Sequence, residues 1–76
     1  MPTFFTIDGI KILFYFNDHN PPHFHALFRG EELVIEIKTL EIMEGSLPKT
    51  QLKKVKKFAI ENQSILLEIW NQMRDL

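Results

Sequence analysis

From Ile10 onward apolar and polar positions alternate, with Ile10, Ile12, Phe14 and Phe16 separated by Lys11, Leu13 and Tyr15. Successive side chains of a strand point to opposite faces, so this period predicts a strand from Ile10 to Phe16 whose first set is turned to a core. An earlier segment rich in Phe, Ile and Thr, Thr3 to Ile7, is joined to it by Asp8-Gly9. Both positions of a two-residue hairpin turn take positive φ, which Asp-Gly tolerates, so the two segments are expected to form a β-hairpin.

Alternation resumes at His23 to Phe28, where Phe24, Ala26 and Phe28 form one set and the two histidines fall in the other. After a turn through Arg29-Gly30-Glu31, a fourth strand is expected at Leu33 to Ile37, with Leu33, Ile35 and Ile37 inward and Glu36 on the opposite face. Glu41 to Gly45, carrying Ile42 and Met43, is a short fifth candidate.

Beyond Gly45 the apolar spacing becomes helical. At about 100° per residue, Leu52, Val55, Phe58 and Ala59 gather on one side and Lys49, Lys53, Lys56 and Lys57 on the other. Ser46 or Leu47 is expected near the N-cap with Pro48 in the first turn, and Ser64 as a cap of the next helix. That second helix, about Gln63 to Asp75, puts Ile65, Leu66, Ile69, Trp70 and Met73 on one stripe and leaves Leu67 off it. The predicted architecture is α+β: an antiparallel sheet of four to five strands over residues 3–44, then two C-terminal helices, about 48–61 and 63–75, packed on one face.

Composition narrows the function classes. The chain has 76 residues, 45% of them hydrophobic, with seven Phe, enough for one domain with one core. Without cysteine it has neither disulfides nor thiolate chemistry, which suits a reducing, cytoplasmic setting. The N-terminal stretch does not read as an export signal, and no apolar run approaches the roughly 20 residues of a membrane helix. A net charge of −1 argues against generic nucleic-acid binding. Five lysines between Lys49 and Lys57 leave RNA phosphate or an acidic partner as a minor reading of the first helix, beside the ordinary one of a solvated face. Leu67 and an uncovered sheet edge are places where a partner or a second copy would bind.

Candidate chemistry concentrates in Asp18-His19-Asn20-Pro21-Pro22-His23-Phe24-His25. His23 and His25, two apart on a strand, project from one side about 6.5 to 7 Å apart along the backbone, and the two prolines stiffen the approach. Three readings stay open. The histidines bind a divalent metal such as zinc, with His19, His23 and His25 as ligands and Asp18 or Glu36 as alternatives. Or His23 and His25 act as acid–base groups with Asp18 as orienting partner, an unperturbed imidazole titrating near pH 6.5. Or the segment is structural, its histidines bonded to backbone and carboxylates behind a packed strand. No Gly-rich phosphate loop or nucleophile elbow accompanies them.

The string Asp18-His19-x-Pro21-Pro22-His23-Phe24-His25 after a hairpin, with Gly45, Leu47 and Pro48 at a helix start and Trp70 in the closing helix, resembles the bacterial family called domain of unknown function 4160. The resemblance spans nearly the whole chain, and departs at Leu40, where members often carry glycine in the turn before the fifth strand. It implies a compact cytoplasmic protein, often encoded beside a member of the family called domain of unknown function 2442 in pairs that look like toxin–antitoxin modules. The first function it suggests is therefore a small interaction protein. A metal-assisted or acid–base hydrolase or nuclease using the histidine segment is the alternative.

Overall fold

A computed structural model of the chain describes residues 3–15 and 19–74. Five strands, β1 (Thr3–Ile7), β2 (Ile10–Phe14), β3 (His23–Phe28), β4 (Glu31–Glu36) and β5 (Ile42–Gly45), precede helices α1 (Lys49–Glu61) and α2 (Gln63–Arg74). The strands form one antiparallel sheet in the order β1-β2-β3-β4-β5. This is the expected α+β arrangement, with all five strands present.

Two tight turns set the register. Asp8 and Gly9 have φ of 47° and 80°, and Arg29 and Gly30 have 48° and 84°, the paired positive values of a two-residue hairpin loop. Because the second turn uses only Arg29 and Gly30, Glu31 and Glu32 are strand residues and β4 begins two positions before the expected Leu33. Ile37 lies just beyond β4 but remains buried, its amide donating to the Pro22 carbonyl at 2.9 Å. The described part of the second strand ends at Phe14; the expected extension to Phe16 lies outside the described residues.

One face of the sheet makes the core. Ile10, Ile12, Phe14, Phe24, Ala26, Leu33, Ile35 and Ile37 pack with Leu47, Val55, Ala59, Leu66, Trp70 and Met73 from the helical layer. Inward strand residues pair across the ladder, Ile12 with Ala26 and Ala26 with Leu33, so the alternation in sequence becomes one continuous apolar surface. Phe28, expected in the packed set, is only partly buried, with the Arg29 guanidinium over its ring.

The helices depart from expectation at their caps and on one stripe. Pro48 occupies the N-cap of α1 and makes no side-chain cap bond, while the Ser46 amide donates to the Glu32 carbonyl. Ser64 lies inside the first turn of α2. The joint is tied instead by amide side chains: Asn62 Nδ2 donates to the Phe58 carbonyl, and Gln63 Nε2 to the carbonyls of Ile37 and Lys38. Ile65 is 53% exposed, whereas Leu67 packs partly into the core. Leu66, Trp70 and Met73, at i, i+4 and i+7, set the inward direction of α2, and its rotation on the sheet favours the Leu67 side of that line.

At β5 the register slips. Leu33 pairs with Gly45 and Val34 with Glu44, but Ile35 pairs with Ile42, leaving Met43 as the extra residue of a bulge. Gly45 has φ of 74°, and a Cβ there would collide with the Glu32 carbonyl oxygen.

Candidate functional site

Alternation with Phe24 and Ala26 turns His23 and His25 away from the packed face of the sheet, although His23, at the start of β3, still meets α2 through Trp70. Pairing carries a row across that outer face: Leu13 of β2, His25 of β3, Val34 of β4 and Glu44 of β5. In the next row, His23 stands opposite Glu36. The ring centroids of His23 and His25 are 5.3 Å apart, and the His19 ring is 5.9 Å from that of His23. Tyr15, just past β2, meets the His25 ring edge-on at 4.6 Å.

The two strand histidines differ in setting. His23 is buried, 4% exposed, with the Trp70 ring of α2 at 5.0 Å. Its Nδ1 lies 2.7 Å from the carbonyl oxygen of Pro21, which follows a cis Asn20–Pro21 bond. A carbonyl only accepts, so Nδ1 carries the proton and the lone pair of the neutral ring is at Nε2. His25 is partly open, and its Nδ1 lies 3.1 Å from Oε2 of Glu32. The carboxylate likewise makes Nδ1 the donor and, in the neutral ring, Nε2 the lone-pair atom.

A pocket of about 300 Å³ opens here, lined by His19, His23, His25, Val34, Met43 and Glu44. The β5 bulge helps make it, because the extra residue lets Met43 and Glu44, adjacent in sequence, both reach the pocket wall. No lysine or arginine is among its lining residues. The lysines of α1 belong to the helical layer on the other face of the sheet; Lys54 reaches Asp8 of the first turn at 3.2 Å.

Of the residues expected from sequence, His19, His23 and His25 are thus neighbours around one pocket. Asp18, expected as orienting partner, lies outside the described residues. Glu36 is opposite His23 in register but does not line the pocket. As placed, no group of three His, Asp or Glu among the described residues is arranged to hold a metal ion. Glu32 and Glu44 were not singled out by the sequence. Glu32 was legible in principle: a two-residue turn at Arg29-Gly30 pairs His25 with Val34 and puts Glu32 two positions along, on the same face. With Glu31 in the turn and β4 beginning at Leu33, as the sequence pattern predicts, Glu32 falls outside the strand. Glu44 depends on the bulge, for which the sequence carries no signal.

The profile of the family described as Domain of unknown function (DUF4160) matches residues 9–71. The chain belongs to that family. The matched span runs from the first hairpin into α2 and contains every residue lining the histidine pocket, together with Glu32 and Trp70. No curated protein and no solved structure matches the chain. Among the described residues of this family member, no helix is long and apolar enough to cross a membrane.

Proposed function

We propose that the histidine pocket is a hydrolytic centre in which His23 and His25 act on one water molecule. The observation that carries this reading is the pinning of both Nδ1 atoms, which makes Nε2 the basic nitrogen of each neutral imidazole in two side chains that line one pocket. Two such acceptors orient a water by taking its two hydrogens. His25 Nε2 removes one proton as the water oxygen attacks an acyl carbon, Glu32 stabilises the resulting imidazolium, and the same proton passes to the leaving alkoxide or amine. His23, with its ring fixed against Pro21 and Trp70, positions the water. The lining supplies a carboxylate and no cation, which favours ester or amide bonds over phosphodiesters.

A panel of ester, amide and RNA substrates, with and without added zinc, tests this. Ester or amide turnover, reduced about a hundredfold or more in a folded His25→Gln variant, is the expected result. Zinc-stimulated turnover with one ion per chain reassigns the histidines, with His19, as ligands of a metal-assisted hydrolase. Absence of turnover in every arm removes the hydrolytic reading.

The second reading is an interaction protein, one half of a toxin–antitoxin-like pair acting in the cytoplasm. It is favoured by β5, an edge strand whose four residues are all exposed. Co-expression with the neighbouring gene product, expected to be the family called domain of unknown function 2442, tests it: co-elution is expected, and separate elution at micromolar concentration with no effect on growth rejects it.

A further inference from the structure

The β5 edge and the adjoining pocket rim share a chemistry that selects a partner. Among the described residues β5 pairs only with β4, so its outer backbone edge is open to another strand. Ile42 and Met43 on it are exposed at 44% and 38%, and Glu41 and Glu44 bracket them. The opposite edge strand, β1, carries no charged residue and gives no ground for choosing an occupant.

We infer that β5 is a docking edge for an extended basic segment of a partner protein, added as a sixth strand with a lysine or arginine opposite Glu44. Main-chain bonds of strand addition supply affinity, and alternate side chains supply selection. Residues facing each other across such a pair have Cβ atoms about 4.5 to 5.5 Å apart, so a basic side chain reaches the Glu44 carboxylate and the pocket mouth beside it. Ile42, in the row that faces the helices, meets the apolar positions between.

The same groups reject a second copy. Pairing β5 with itself brings Glu41 and Glu44 of both chains into one short ladder, and the bulge at Met43 interrupts a regular match. Catalysis on the docked backbone is also excluded by distance. The sixth strand would lie three strand spacings from β3, about 14 Å from the histidines' backbone, so this edge recognises and does not cut. The inference rests on the interaction reading, whose partner it specifies, and is independent of the hydrolytic one.

The test titrates the full chain with a blocked short peptide of alternating lysine and valine, and with its glutamate counterpart, following backbone amide signals. Binding of the lysine peptide with shifts centred on Ile42–Gly45, and about tenfold weaker binding by Glu44→Lys, is expected. A Glu41→Lys, Glu44→Lys double variant, whose changes are both at exposed positions, should come to prefer the glutamate peptide. Equal binding of both peptides, shifts that avoid β5, or a dimer with protected β5 amides would overturn the inference. Peptide binding without co-elution of the neighbouring gene product rejects that protein as the partner and leaves the edge assignment standing.

Discussion

Glu32 stands diagonally across the β3–β4 hairpin from His25 and accepts a hydrogen bond from its Nδ1 at 3.1 Å. The pair is partly solvent-exposed, so its weight in folding is small and its effect on the ring is local. Replacing Glu32 with Ala should cost under about 1 kcal/mol of stability yet release the tautomer, so that the neutral His25 ring populates Nε2–H as well as Nδ1–H. Long-range nitrogen–proton correlation spectra report this directly. An unchanged tautomer would show that something other than Glu32 holds the ring.

His23 and His25 should separate in stability. His23 is buried against Trp70 and bonded to the Pro21 carbonyl, so His23→Ala opens a cavity and removes the ring donor of that part-buried hydrogen bond. A loss of about 2 to 3 kcal/mol is expected in urea unfolding, against under about 1 kcal/mol for His25→Ala. Equal losses would contradict the asymmetry of the two environments.

Leu40 carries φ of 65°, in the left-handed region, at the position where the family resemblance implies that glycine is frequent. A side chain in that conformation costs about 1 to 2 kcal/mol, while Leu40 also packs against the core and regains part of that sum. Leu40→Gly should therefore leave the urea midpoint within about 1 kcal/mol of the parent, far less than the roughly 2 to 5 kcal/mol of an ordinary core leucine deletion.

Gly45→Ala should behave in the opposite way. The added methyl meets the Glu32 carbonyl at a positive φ, so β5 must move away from β4 or the backbone must change. A loss of at least about 1 to 3 kcal/mol is expected, together with shifts in the amide signals of Met43 and Glu44 at the pocket wall. A neutral substitution would mean that the bulge is not anchored by this close approach.

Much of this fold is local in origin. The period of two in Ile10 to Phe14 and Leu33 to Ile37, the Asp-Gly and Arg-Gly turns and the change to helical spacing after Gly45 determined the strands, their inward faces and the α+β order, because burial of one face selects that spacing. The placement of His23 and His25 on one side of β3 followed from the same alternation. Only tertiary structure decided what each histidine touches. Helix rotation brought Leu67 partly into the core in place of Ile65, the path of α2 set Trp70 against His23, and a bulge turned Met43 and Glu44 to the pocket. These contacts join residues far apart in sequence or displaced by one step of register, and side-chain period records which face a residue occupies but not its neighbour on that face.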